Sequence, residues 1–343
     1  MKAVFKVKPE PGVEIMETGE PDVPPGEVLI EVCAAGICGS DLHIYEWSPA
    51  RYKQLSLPVI LGHEFSGKIA KIKDDTGSLQ VGDRVTVSPH VYCKKCYYCA
   101  SGQRNLCEEG ALKIGFTRNG AFARYVSVPV ECVYKLPNNI TLEEAALTEP
   151  LCVGLHAIEL SSVKCGDVVA VLGPGPIGLL LLLALRAAGV AQLIVTGKNI
   201  DKKRLEIARG LGAEAINVDE EDPVKVAKEL TDGLGVQTVF DATGNPYAIK
   251  QGIEMVRKGR EVILIGLAAS PGEIFFPDIV RSEKILRGSM NYNSQTWNRA
   301  INLYKERKFI LNSLITHRIR LDDIERGLQL VSSKDAVKVI VTP

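Results

Sequence analysis

The sequence predicts an α/β protein of two domains, one rich in short β-strands and one built on a doubly wound parallel sheet. Three observations predict it. The 343 residues are long for one ordinary domain. The first half carries short alternating apolar runs punctuated by Gly and Pro. From about Leu155, apolar runs alternate with stretches of helical spacing, the pattern of a parallel sheet.

In the first half, "EVLIEVCAAG", "GKIAKI", "GDRVTVSP" and "FARYVSVP" read as short strands joined by turns. The opening "MKAVFKVKPEPGV" alternates and soon meets prolines, so it lacks the apolar core of a signal peptide. "DVVAVLGPGPIGLLLLLALRAAG" then reads as strand, glycine turn and long helix. "QLIVTG" is a strand, "DKKRLEIARGLGA" a helix, "AINVD" a strand and "DPVKVAKELTDG" a helix. "VQTVFDATG", "PYAIKQGIEMVRKG" and "REVILIGL" continue as strand, helix, strand. The tail has helices at "SQTWNRAINLYKER" and "DDIERGLQLV" and ends on the strand "AVKVIVTP". The predicted boundaries are 1–153 with 292–343 for the β-rich domain, and 154–291 for the parallel-sheet domain.

Composition excludes several function classes. The chain is 46% hydrophobic and 24% charged, enough for a large core. Its formal net charge of +0 argues against nucleic acid as the main partner, because binding phosphates needs a positive surface. Val168–Leu185 is the longest apolar region, but Pro174, Pro176 and the glycines break it, so no membrane span is expected. The expected location is the cytoplasm. A reducing compartment disfavours disulfides, so clustered cysteines there point to metal.

Gly173, Gly175 and Gly178 form G-x-G-x-x-G after the apolar strand "VVAVL" and at the start of a helix. In that context the glycines permit a tight turn, close approach of a pyrophosphate, and close helix–strand packing. The helix N-terminus offers N–H groups and partial positive charge to phosphates. "YCKKCYYCASGQRNLC" places Cys93, Cys96, Cys99 and Cys107 in C-x2-C-x2-C-x7-C spacing within a lobe at about 90–110. Four thiolates close a tetrahedral zinc shell, a structural site, with an iron–sulfur cluster as the rival metal. Lys94, Lys95 and Arg104 flank it and are expected to offset its negative charge.

Further donors are scattered. "GICGSDLH" holds Cys38, Ser40, Asp41 and His43, "LGHEFSG" holds His63 and Glu64, and "LTEPLCVGLH" holds Glu149 and His156. A catalytic zinc takes three protein ligands and keeps one position open, and Cys, His and Glu suit it. Spacing alone does not show that these segments meet.

Together, "GICGSDLH", "GHEFSG", "GDRV", the four-cysteine lobe, "EPLCVGLHA", "GPGPIG" and the closing "KVIV" resemble the zinc-dependent medium-chain alcohol dehydrogenases, in their sorbitol (polyol) and L-threonine dehydrogenase branch. The resemblance implies a GroES-like catalytic domain with a Rossmann-type cofactor domain inserted before the tail. It implies two zinc ions per chain. Cys38, His63 and Glu64 would bind the catalytic ion, and Glu149 would be a fourth ligand or stand between zinc and substrate. Ser40 would contact the substrate oxygen and pass its proton towards His43. Pro176, Ile177, Ile265, Gly266, Leu267 and Met290 join the three glycines in the expected cofactor set. Tyr45, Glu149 and Tyr292 are the expected substrate contacts. A homotetramer or homodimer is implied, with the active site in the interdomain cleft.

Two open points concern the ligands. "EPLCVGLHA" resembles polyol enzymes and "HIYEW" threonine enzymes; the first is weighted more, because that segment approaches the zinc. A small-molecule alcohol within a polyol, cyclitol or sugar acid is expected first, L-threonine second. Asn291 stands where sorbitol enzymes carry an arginine. A catalytically inactive or zinc-free member of the fold is the alternative of another class. NAD-preferring relatives carry an aspartate where Gly197 stands, and Lys198 and Arg204 follow it. That favours NADP, with NAD as the alternative.

Overall fold

The structure, a computed structural model, describes residues 1–47, 55–73, 77–108, 112–268, 270–306 and 311–343. The end of the predicted lobe, from 109, and the last predicted residue of the helix "SQTWNRAINLYKER" lie outside the described residues. Chain contacts divide it into two units: Met1–Glu149 with Asn293–Pro343, and Pro150–Tyr292.

The first unit is built on a seven-stranded sheet. Val133–Lys135, Arg84–Val87, Glu64–Ile72 and Glu27–Gly36 follow one another antiparallel. Lys338–Thr342 then pairs antiparallel with Glu27–Gly36 and parallel with Ile315–Arg320, and Tyr125–Pro129 also joins Glu27–Gly36. Alternation along these strands puts Val28, Ile30, Phe65, Ile69, Val85, Val87, Val126 and Val128 into one core, which also takes Val339 and Val341 of the last strand. The C-terminal tail thus returns to the first unit.

Helix Gly39–Glu46 was not expected in this half. It has no clean apolar stripe; only Asp41 and Ile44 among its residues are buried. Packing and the Asp41 side chain, rather than amphipathic spacing, hold it in place.

The second unit is a six-stranded parallel sheet in the order Glu214–Asn217, Gln192–Gly197, Val168–Leu172, Val236–Asp241, Val256–Leu264, Ile285–Gly288. The order reverses on either side of Val168–Leu172, the doubly wound arrangement. Its central strands are mostly apolar and buried because helices flank a parallel sheet. Helix Pro176–Ala187 buries the leucines from Leu179 to Leu183. The helix predicted to run on through "VRKG" ends at Met255 instead. β-branched Val256 leaves it to pair with Val236 and enter the core.

Candidate active site and metal centres

Strand register assembles the first centre. Gly36 stands opposite both Glu64 and Ile340, so the ends of Glu27–Gly36, Glu64–Ile72 and Lys338–Thr342 meet. Cys38 follows as the residue capping helix Gly39–Glu46, and His63 precedes Glu64. One donor atom each from Cys38, His63 and Glu64 lie within 4.8 Å of one another. His63 and Glu64 are buried.

Asp41 holds two of these donor residues, a role the sequence reading did not give it. Its Oδ2 accepts the Cys38 backbone N–H at 2.9 Å. Its Oδ1 lies 3.4 Å from His63 Nδ1. A carboxylate on one ring nitrogen fixes the ring and leaves the other, Nε2, for a metal. Burial disfavours the imidazolium, but the Asp41 carboxylate outweighs it and lifts the His63 pKa well above the ordinary 6.5. To hold a metal, Cys38 and His63 would have to give up their protons.

Ser40 Oγ lies 3.4 Å from His63 Nε2, and His43 Nδ1 lies 3.9 Å from Glu46. Glu149, in the first turn of helix Thr148–Leu160, is buried but outside the ligand set. Tyr45 packs half-buried against the first unit's core. Tyr292 is fully buried, so its ring is not presented to solvent. His156 is buried with Nδ1 3.4 Å from Glu159.

Lys338 is the other residue that sequence reasoning missed. Its ammonium is buried in an ion pair with Glu64 Oε2 and donates to the Ile37 carbonyl at 3.1 Å. Burial works against its charge, but Glu64 and Cys38 raise its pKa. Glu64 Oε1 is buried with no hydrogen-bond partner among the described residues. A buried, unbonded carboxylate oxygen beside a thiol and an imidazole fits a cation, and the S, N, O donor set fits zinc.

The second centre is the lobe. One sulfur each of Cys93, Cys96, Cys99 and Cys107 lie within 4.8 Å of one another. The Cys96 and Cys99 backbone N–H groups donate to Cys93 and Cys96 sulfur at 3.4 and 3.5 Å. Such N–H donors hold the Cys96 thiol down to about 6, while burial pushes Cys99 up to about 12. Lys94, expected to offset the thiolates, also forms an ion pair with Glu131.

The three glycines of the second unit do different things. Gly173 turns the chain at φ +95°. A Cβ at Gly178 would lie 2.0 Å from the Gly173 carbonyl oxygen, so only glycine lets the helix pack there. A Cβ at Gly175 would meet nothing within 4 Å, which leaves open space at the start of helix Pro176–Ala187. That is the room a pyrophosphate needs on a helix N-terminus, and the site fits a dinucleotide. Pro176 and Ile177 form the first helical turn, half-buried.

Asp241 builds the neighbouring loop by accepting the N–H groups of Thr243 and Gly244, both at 3.0 Å. Gly266 abuts that loop: a Cβ there would lie 2.0 Å from the Gly244 nitrogen. Ile265 is half-buried, and Leu267 and Met290 are exposed. At the end of strand Gln192–Gly197, Lys198 is exposed. Arg204, expected to offer charge to the cofactor, is buried 3.8 Å from Asp201. Asp201 in turn accepts the Lys198 N–H at 3.2 Å.

A doubly wound sheet with a glycine-rich phosphate turn, in one chain with a three-donor S, N, O centre and a four-thiol lobe, defines a metal-dependent dinucleotide-linked oxidoreductase. Residues 24–138 match the alcohol dehydrogenase GroES-like domain, and residues 176–306 match the zinc-binding dehydrogenase domain. The chain is 37% identical to a sorbitol dehydrogenase of Halalkalibacterium halodurans over 347 residues, covering 100% of this chain and 99% of that one. It is 34% identical over 346 residues to an L-threonine 3-dehydrogenase of Bacillus subtilis, with 100% and 99% coverage. The solved structure of a zinc-binding dehydrogenase from Sinorhizobium meliloti bound to NADP superposes at TM-score 0.92, with 30% identity and 100% and 99% coverage. The chain belongs to the zinc-dependent medium-chain alcohol dehydrogenase family. It is accordingly a zinc-dependent, NAD(P)-linked dehydrogenase acting on a small alcohol.

Proposed function

We propose that Cys38, His63 and Glu64 hold the catalytic zinc, that the four-cysteine lobe holds a structural zinc, and that the substrate is a secondary alcohol of a polyol, cyclitol or sugar acid. The carrying observation is the convergence of those three donors beside the Ser40 hydroxyl. When bound, zinc supplies Lewis acidity that lowers the alcohol's pKa, and the nicotinamide supplies the hydride acceptor. The protein's part is to bind and to move the proton. Asp41 fixes the His63 ring and the Cys38 backbone. Ser40 Oγ sits where it can take a proton from a hydroxyl at the centre, and His43, one helical turn on and half-exposed, passes it to solvent. Glu149 adds a negative charge near the centre, as a fourth ligand or between zinc and substrate.

The polyol reading is supported by "EPLCVGLHA" and by the sorbitol dehydrogenase relative; the threonine relatives support the second reading. A kcat/KM panel of polyols, cyclitols, sugar acids and L-threonine with both cofactors decides. Turnover of L-threonine alone overturns the first reading.

We propose NADP as the preferred cofactor. A Cβ at Gly197 would lie 2.9 Å from Pro174 Cγ and 3.1 Å from Leu205 Cδ2, so the ribose-binding carboxylate of NAD enzymes has no room here. The side chain of Asp201 is already engaged by Lys198 N–H and Arg204. Exposed Lys198 is left to meet a 2′-phosphate, and Lys198→Ala is expected to raise KM for NADP. An NAD preference unmoved by that change defeats the reading.

We further propose a homo-oligomer acting in the cytoplasm. Ile285–Gly288 is an edge strand of the parallel sheet, and Phe275, Phe276 and Val280 nearby in sequence are exposed, a combination that favours self-association. Among the described residues no helix is long and apolar enough to cross a membrane. Reading the clustered cysteines as metal ligands rather than disulfides goes with a reducing compartment.

A further inference from the structure

Lys338 and Glu64 are 2% and 0% exposed at the side chain, and they touch. A charge so deeply buried persists only when another charge compensates it, because solvation is lost on burial. The fold is shaped around the pair. A Cβ on Gly36 would fall 2.4 Å from Glu64 Oε2 and 3.2 Å from Lys338 Cε, so the backbone opposite is bare of a side chain. The Ile37 carbonyl, next to Gly36, accepts a hydrogen bond from the ammonium. Thus Lys338 pairs with Oε2 of the same buried carboxylate that brings one oxygen within 4.8 Å of the Cys38 and His63 donor atoms, while its Oε1 has no hydrogen bond among the described residues.

We propose that Lys338 is a positioning residue that competes with the catalytic metal for Glu64 and so sets how tightly that metal is held. The inference rests on the assignment of Cys38, His63 and Glu64 as ligands. Before metal binds, Lys338 keeps the buried carboxylate paired and in place. Once metal binds, two cations share one carboxylate in a poorly screened interior, where their repulsion is strong. Outer partners that donate to a ligand usually strengthen metal binding, and losing one costs about 10- to 100-fold in affinity. A fixed positive charge in that position acts in the opposite direction. Its removal hands Glu64 wholly to the metal.

The test is Co(II) affinity of the full-length protein, by competition with a chelator, together with the visible spectrum of the Co(II)-loaded site. Lys338→Met is expected to bind Co(II) about 10- to 100-fold more tightly than wild type and to shift the spectrum. Lys338→Arg keeps the charge and should match wild type. In a Glu64→Gln background, Lys338→Met should tighten binding less than in wild type, because only the direct repulsion is then relieved and no shared carboxylate is released; an equal or larger gain there contradicts competition for Glu64. A merely structural lysine predicts the reverse order, with the isosteric methionine tolerated unchanged and the bulkier arginine disruptive. Unchanged or weaker binding by Lys338→Met overturns the proposal. If Lys338→Met does not fold, Lys338→Gln, which retains a donor for Ile37, carries the same comparison. Wild-type protein with no Cys38-dependent Co(II) site would overturn the ligand assignment itself, and the inference with it.

Discussion

A single carboxylate, Asp41, reaches the backbone of one proposed ligand and the ring of another. Asp41→Asn keeps the shape but gives up the charge that orients His63. It should weaken the catalytic metal about 10- to 100-fold in chelator competition while the lobe metal stays bound. Equal weakening at both centres would contradict the role given to Asp41. His90 makes a second prediction at this scale. Burial, reinforced by Lys113, lowers its pKa from 6.5 to about 3. The folded state therefore keeps His90 neutral while the unfolded chain takes up a proton below pH 6.5, so stability is lost as pH falls through that value. The loss between pH 7 and 5 is about 2 kcal/mol. His90→Gln should flatten the fall of unfolding free energy over that range, and an unchanged slope would count against it. Cys38, His63 and Glu64 stood out in the sequence because each lies in a short motif dense in donor atoms. Asp41 was visible only as one more donor of the first motif, because its His63 partner lies in another segment, and Lys338 read as ordinary charge in a closing strand until the sheet register brings it to Glu64.

Elements explain which motifs are rigid requirements. Helix Pro176–Ala187 touches its preceding turn at Gly178, where a methyl would strike the Gly173 carbonyl. Gly178→Ala should cost about 1–3 kcal/mol by overpacking and weaken dinucleotide binding, checked by denaturant titration and cofactor fluorescence. The strand end at Gly197 is coupled to the same turn through Pro174. Gly197→Asp alone is expected not to confer NAD preference, whereas Pro174→Ala with Gly197→Asp should move kcat/KM towards NAD. A switch by the single change would show that the proline is no obstacle. The alternating strands and helices of this unit were legible because a parallel sheet is buried on both faces and reads as apolar runs. Helix Gly39–Glu46 was not legible, since it fully buries only Asp41 and Ile44, with Leu42 and Tyr45 half-buried against the core. The end of helix Pro246–Met255 was misplaced because pairing of Val256 with Val236 overrides local helical spacing.

For the molecule as a whole, one chain carries a dinucleotide-binding unit and a unit with two proposed zinc centres of different character. The proposed oligomer is tested by light scattering: a mass above one chain is expected, lowered by Phe276→Glu or Val280→Glu, and a monomer at all concentrations contradicts it. Substituting Cys96 should remove one metal and lower Tm, and iron with acid-labile sulfide in the lobe would refute the structural zinc. The central claim is tested most directly by zinc counted per chain in wild type and Cys38→Ala, alongside turnover. The account predicts two zinc ions falling to one, with the lobe ion retained and activity lost. Cys38→Ala protein that keeps both ions and near-normal turnover would contradict it.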